Sequence, residues 1–253
     1  EEYQDAGGTQ AILKQLEKLL NKDVMTVSGK TMGEELKDAK VLDEEIIRPL
    51  DRPLSNRPSI VLVKGNLAPK AGVVKLSVED DRPLEFSGPA VIYESREKAI
   101  EGLRNGDVKK GDVLVMRGFG LKGNPGLGFL SSVIFALDGA DLTGKVAVVT
   151  DGHVSGLVNK TWLVCEISPE AAVGGPLAFV KEGDIIKIDV HKRSVDLDLT
   201  EEEIKKRSDQ IKEYPSNHKN ERGWLSIYSK IVQPMTDGAV LVDSVLGKDE
   251  ENK

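Results

Sequence analysis

The spacing of apolar residues changes period several times along the chain, and each change marks an element. Over residues 11–20, Ile12, Leu13, Leu16, Leu19 and Leu20 recur at helical spacing behind Gly7-Gly8-Thr9, which predicts an amphipathic helix. Residues 24–31 read as a strand running into a helix start. Pro49, Pro53 and Pro58 punctuate an extended connector over residues 50–58. Beyond it, residues 60–63, 73–78 and 90–93 predict short strands, with the compact turn Gly65-Asn66-Leu67-Ala68-Pro69 after the first. Ser95 caps a predicted helix through Ala99, Ile100 and Leu103 that stops at Gly106. Val113-Leu114-Val115-Met116 forms a strand that runs into the glycine-rich loop GFGLKGNPGLG, and residues 129–137 predict a helix packed on the sheet.

The later part repeats the alternation. KVAVVTDGHVSGLVN, residues 145–159, reads as a buried strand that delivers a polar loop with Ser155 at its centre. Residues 162–167 form another strand, and Pro169-Glu170-Ala171-Ala172 predicts a helix with proline in its first turn. Ile186, Ile188 and Val190 alternate against Val195, Leu197 and Leu199 across His191-Lys192-Arg193-Ser194, a hairpin. Thr200 and Glu203 predict a capping box for a helix running to about residue 214. Trp224, Leu225, Tyr228, Ile231 and Val232 mark a last amphipathic helix, and the tail GKDEENK is expected to fray. Many short strands among few helices favour an α+β fold over a doubly wound parallel sheet.

Composition narrows the classes. A length of 253 residues with 39% hydrophobic content supports one large domain or two small ones. No apolar run is long enough for a membrane span, and with no basic stretch leading into an apolar one at its start, no secretory leader is expected. A net charge of -7 with interspersed signs argues against binding a nucleic-acid backbone. Cys165 is the single cysteine, so no internal disulfide forms and a reducing cytoplasm is the expected location. One thiol cannot hold an iron–sulfur cluster alone, and His153, His191 and His218 match no zinc spacing. Ser28-Gly29-Lys30-Thr31 resembles the end of a phosphate-binding loop, but Val24 stands where that motif needs glycine. The glycine-rich loop keeps two readings, an anion-binding nest or a plain connection.

Taken in order, the phrases AGGTQAILKQL, TVSGKTMGEEL, GNLAPKAGVVK, FSGPAVIYESREKAIEG, KKGDVLVMRG, KVAVVTDGHVSG, ISPEAAVGGPLAFVKEGDII and GWLSIYSKIVQPMTDGAV resemble the C-terminal portion of the dihydroxyacid dehydratase and 6-phosphogluconate dehydratase family, across residues 5–240. The resemblance implies a β-barrel like the swivelling domain of aconitase, with flanking helices. It implies residues 1–57 as an N-terminal helix and connector, 58–246 as the barrel domain with closing helices, and 247–253 as a tail. Complete members convert a 2,3-dihydroxy acid, branched-chain or sugar-derived, to a 2-keto acid. An iron of the iron–sulfur cluster takes the 3-hydroxyl while a serine base removes the C2 proton beside Mg2+. That serine corresponds to Ser155.

The resemblance also implies substrate contacts from Gly65, Asn66, Gly123, Asn124, Gly126, Asp151, Gly152 and Gly156. Three positions depart from the pattern. Phe129 stands where a metal-ligating glutamate is expected, His153 where an arginine is usual, and Glu166 where many members carry histidine. No metal ligand is therefore expected in this chain, and cluster and Mg2+ are expected from a cluster-bearing N-terminal half or subunit. A hydroxy-acid substrate and a homo-oligomer are the other expected partners, and the chain by itself is expected to be inactive. The alternative is a non-catalytic relative that binds a small anion or a protein partner. Ser155 would then simply satisfy backbone groups of its turn.

Overall fold

Runs such as Val113-Leu114-Val115-Met116 leave no polar position to face water, so a strand built from them must be covered on both sides. The computed structural model covers them in that way. It describes residues 1–76, 83–156, 161–211, 214 and 222–242, and divides the chain into two compact units, Glu1–Arg57 and Pro58–Lys253.

In the first unit, α1 (Glu2–Asp5) and α2 (Gly8–Gln15) precede a 3-10 turn at Glu17–Leu19. The helix predicted over residues 11–20 thus starts earlier and breaks at Leu16. Ala11 packs with Ala6 and Ile47, whereas Leu19 stays exposed. The expected strand at residues 24–31 is reduced to one antiparallel bridge, Met25 to Thr31. Thr31 caps α3 (Met32–Glu35) in a reciprocal box with Glu34.

The second unit holds β1 (Ile60–Val63), β2 (Ala71–Lys75), β3 (Glu85–Tyr93), α4 (Arg96–Asn105), β4 (Val113–Met116), α5 (Ser131–Gly139), β5 (Ala147–Thr150) and β6 (Trp162–Ser168). Two 3-10 turns follow, Ala171–Val173 and Pro176–Phe179. Then come β7 (Ile185–Asp189), β8 (Ser194–Leu197), α6 (Glu201–Gln210), α7 (Trp224–Ile231) and a last 3-10 turn at Met235–Asp237. The strands form one eight-stranded sheet in the order β1-β2-β6-β5-β4-β3-β7-β8. The middle four, β3 to β6, are parallel, and the flanking pairs are antiparallel.

The two ends of the sheet meet. Lys64, just past β1, pairs in parallel with Ser194 of β8. Its N–H donates to the Arg193 carbonyl (2.9 Å), and its carbonyl accepts from the Val195 N–H (3.0 Å). The result is a nearly closed, barrel-like sheet with flanking helices, an α+β fold. Val113, Val115, Val149, Val164 and Ile186 fill its inside. Leu114, Met116, Val148 and Leu163 point outward under Leu103 of α4 and Ile134 and Leu137 of α5. Each fully buried Leu or Met of this kind contributes about 1.5–3 kcal/mol.

Several predicted ends move. The strand expected over residues 73–78 spans 71–75, and Val78 lies outside the described residues, as does the tail at 247–253. The helix expected from Pro169 is only the 3-10 turn Ala171–Val173. α6 keeps the Thr200 cap but ends at Gln210, short of residue 214. Its Glu203 carboxylate accepts from Arg207 Nε at 2.8 Å, and the same guanidinium bonds Asp184 ahead of β7. No helix among the described residues is long and apolar enough to cross a membrane.

Candidate functional site

Parallel strands put their carboxyl ends side by side, so the loops that follow them gather at one end of the sheet. Here the loops after β4, β5 and β6 do so, and a buried aspartate ties them together. Asp151 follows β5 with none of its surface exposed. One carboxylate oxygen accepts from the Phe119 N–H (2.9 Å); the other accepts from Gly118 (3.2 Å) and Ala171 (2.9 Å). Burial pushes the carboxyl upward, and the three N–H donors pull against that shift. Asp151 therefore faces inward, holding the glycine-rich loop after β4 to the turn after β6.

The glycine-rich loop does form an anion seat, and the chain fills it with its own side chain. The Glu170 carboxylate accepts from the Lys122 N–H (2.9 and 3.1 Å) and the Gly123 N–H (3.4 Å). Only glycine fits at position 120, where a Cβ would lie 1.7 Å from Glu170 Oε2. Burial, reinforced by the nearby Asp151 charge, raises the Glu170 carboxyl to about 7. A pocket of about 250 Å³ opens beside it, walled by Leu121, Ile167, Pro169, Val173 and Met235 with Lys70 at its edge.

Ser155 lies on the loop after β5, partly exposed, with its N–H donating to the Ser131 hydroxyl at 3.3 Å. Ser131 opens α5, so Ser155 sits beside the positive end of a helix dipole. Gly156 next to it is exposed and Gly152 is buried. Asn124 is partly exposed and Gly126 exposed on the glycine-rich loop, whereas Gly123 is buried with its N–H on Glu170.

Gly65 and Asn66 belong to the seam of the barrel. The Asn66 amide donates to the Leu197 carbonyl (2.9 Å) and accepts from its N–H (2.6 Å), as a strand neighbour would. A Cβ at position 65 would stand 2.1 Å from the Val195 carbonyl oxygen.

Of the three positions that depart from the family pattern, His153 touches both of the others. Phe129 pairs with His153 in a parallel bridge, and their rings stack at 5.8 Å with a 30° tilt. His153 Nδ1 lies 2.7 Å from Glu166 Oε1. Glu166 itself has a left-handed backbone, φ 57°. It sits on a bulge of β6, where the register jumps from Ala71–Ser168 to Val73–Cys165.

Sequence reasoning gave no functional weight to Glu170 or Arg117. Arg117 follows β4 and donates from Nε to Glu94 (2.9 Å) and from Nη1 to the Leu177, Ala178 and Val180 carbonyls. It clamps the second 3-10 turn. The only signal was position: each stands just past a parallel strand.

The barrel-like mixed sheet presents its glycine-rich and serine-bearing loops together at the carboxyl ends of its parallel strands, where folds of this class commonly place binding groups. The sequence profile described as "Dihydroxy-acid/6-phosphogluconate dehydratase C-terminal" matches residues 45–239. The dihydroxy-acid dehydratase of Caldicellulosiruptor saccharolyticus is 43% identical over 238 residues, covering 93% of this chain and 43% of that protein. Those of Aquifex aeolicus and Methanococcus aeolicus are 42% and 40% identical over 243 and 236 residues, 43% and 42% of their lengths. The chain belongs to the dihydroxy-acid and 6-phosphogluconate dehydratase family of lyases, of which it carries the C-terminal domain. It spans a little over two-fifths of the curated relatives it matches.

The described residues of this chain offer no complete site for the cluster or the metal that the resemblance implies. Cys165 is fully buried, its Sγ points at the Val73 carbonyl oxygen (3.5 Å), and burial pushes its thiol up to about 12. Enclosed in this way, the thiol has no open face to turn toward a cluster, and a single thiol cannot hold one. Among the described residues, no group of three or more His, Cys, Asp or Glu is placed to hold a metal ion.

Proposed function

We propose that this chain is the substrate-facing C-terminal part of a hydro-lyase that dehydrates a 2,3-dihydroxy acid to a 2-keto acid. It works with a cluster-bearing N-terminal half. Ser155 is the base that removes the C2 proton, and the groups that the other half supplies complete the site. The observation that carries this reading is the placement of Ser155 on the loop after β5, against the N-terminus of α5. A serine hydroxyl is a poor base unless its alkoxide is stabilised, and a helix N-terminus favours a negative charge there. Asn124, Gly126 and Gly156 are the exposed or half-exposed groups that would meet the substrate, while Asp151 and Glu170 hold the loops in place.

The competing reading, a non-catalytic domain that holds a small anion on the glycine-rich loop, is weakened by Glu170. Its carboxylate already uses the N–H groups of Lys122 and Gly123. The test is to combine the chain with its cluster-bearing half and assay a panel of branched-chain and sugar-derived dihydroxy acids. Formation of a 2-keto acid from at least one is expected. A cluster-loaded assembly that converts none would refute the reading.

A further inference from the structure

We infer that the loop at residues 22–33, with Val24, Met25 and Val27 on its outside, docks on the part of the polypeptide that precedes this domain in its relatives. The inference rests on the reading that such a half completes the site. The first unit has little core of its own. Ala6, Ala11 and Ile47 cluster with Val41 beside them, and Leu36 is fully buried. A unit of this length needs most of its apolar side chains inside to stand alone. Here the larger ones lie outside: Leu19 is 75% exposed, Met25 68% and Leu42 71%, and Val27 is exposed over its whole surface.

The loop that carries Met25 and Val27 is shaped by bonds to itself. The Gly33 N–H donates to the Lys22 carbonyl and the Met32 N–H to the Val24 carbonyl, each at 2.9 Å. The Thr26 N–H and hydroxyl both donate to the Lys30 carbonyl, again at 2.9 Å. Gly29 makes the turn with a left-handed backbone, φ 80°. The Ser28 hydroxyl donates to the Glu35 carboxylate, and the Thr31–Glu34 box closes the end. Polar groups are thus used within the loop while Val24, Met25 and Val27 face out. A loop that met only water would turn polar side chains outward, and a contiguous apolar patch marks an interaction surface. A loop already held in shape loses little freedom on docking.

The relatives identify what covers it. The C-terminal profile begins at residue 45. The match to the Caldicellulosiruptor saccharolyticus enzyme nevertheless covers 93% of the 253 residues. Residues 1–44 are far more than the uncovered 7%, so most of them belong to the match. They are shared with the relatives yet stand ahead of the C-terminal profile. The other 57% of that enzyme's length lies outside the match, and a C-terminal profile puts it in front. A segment of that kind, apolar on its outside, is the edge of the preceding part.

Single cysteines report the cover, and the buried Cys165 keeps the background low. Val27→Cys and a control in the second unit, Phe135→Cys on the exposed side of α5, should both react rapidly with a maleimide in the chain alone. The same chains would then be joined behind the part of the Caldicellulosiruptor saccharolyticus enzyme that precedes the match. There Val27→Cys should react about tenfold more slowly or less, and Phe135→Cys within about threefold of its rate in the chain alone. Met25→Glu with Val27→Glu should leave the Tm of the chain alone within about 2 °C, since both side chains are exposed. The same pair should lower the Tm of the joined protein, because it carries charges into an apolar contact.

A Val27→Cys as reactive in the joined protein as in the chain alone overturns the inference. So does a glutamate pair without effect on the joined protein. Protection of Val27→Cys in the chain alone as its concentration rises also overturns it, since a second copy is then the occupant. A protected Val27→Cys in a cluster-loaded joined protein that dehydrates nothing leaves the docking loop standing and removes the dehydratase reading. Turnover with Val27→Cys still reactive removes the docking loop and leaves that reading.

Discussion

Replacing Glu170 by glutamine should remove a specific pH dependence from the stability of the barrel. The carboxyl is raised from 4.5 to about 7, chiefly by burial and then by the Asp151 charge. The folded state therefore binds this proton more tightly than the unfolded state. Its stabilising contribution is complete below about pH 4.5 and is lost as pH rises through about 7. The shift of about 2.5 units corresponds to roughly 3 kcal/mol, at about 1.36 kcal/mol per unit. Glutamine keeps an oxygen for the Lys122 N–H but has no proton to lose.

At pH 5 the Glu170→Gln variant should lie within about 1 kcal/mol of the parent, a difference of one neutral hydrogen bond. At pH 8.5 the comparison should have swung in the variant's favour by up to roughly 3 kcal/mol. Urea unfolding followed by Trp162 fluorescence measures this, since Trp162 is 4% exposed inside the barrel. Other titrating groups cancel in the difference between the two proteins. Parallel curves from pH 5 to 8.5 would refute the account of Glu170 as a buried carboxyl seated on the loop.

Other expectations follow from the same geometry. Asp151→Ala strips three backbone N–H groups of their buried acceptor and should cost about 3–5 kcal/mol, read as a fall in Tm of the chain. Gly120→Ala cannot coexist with the present seat of Glu170. It should expel that side chain and abolish the pH difference described above. Arg207→Ala leaves the Asp184 carboxylate, 10% exposed, without its partner and should cost about 3–5 kcal/mol in the same melt. Cys165 should resist alkylation at pH 8 in the folded chain and react on unfolding, with mass spectrometry as the readout.

What could be read from the chain, and what could not, divides by the range of the interactions. β4, β5 and β6 were visible because runs like Val146-Ala147-Val148-Val149 suit only a strand covered on both faces. The Ser95 and Thr200 caps were visible because capping needs three residues of local sequence. The junction of Lys64 with Ser194 was not visible, since it joins residues 130 positions apart through backbone alone. The same is true of Glu170. Nothing near it announces that Lys122 and Gly123, nearly fifty residues earlier, will cradle its carboxylate. The glycine-rich loop left an anion nest and a plain connection both open, and neither the choice between them nor the occupant could be read from it. Phe129, His153 and Glu166 stood out one at a time as departures from a pattern, and only the fold sets His153 against the other two.

The central claim is that Ser155 carries the proton transfer, and one comparison bears on it most directly. Parent and Ser155→Ala chains would each be assembled with the cluster-bearing half, checked for equal Tm and equal iron content, and assayed for 2-keto acid formation. Loss of a catalytic base predicts a fall in kcat of about 10²–10⁴-fold at unchanged stability. Turnover within threefold of the parent would contradict the assignment and return Ser155 to a turn residue.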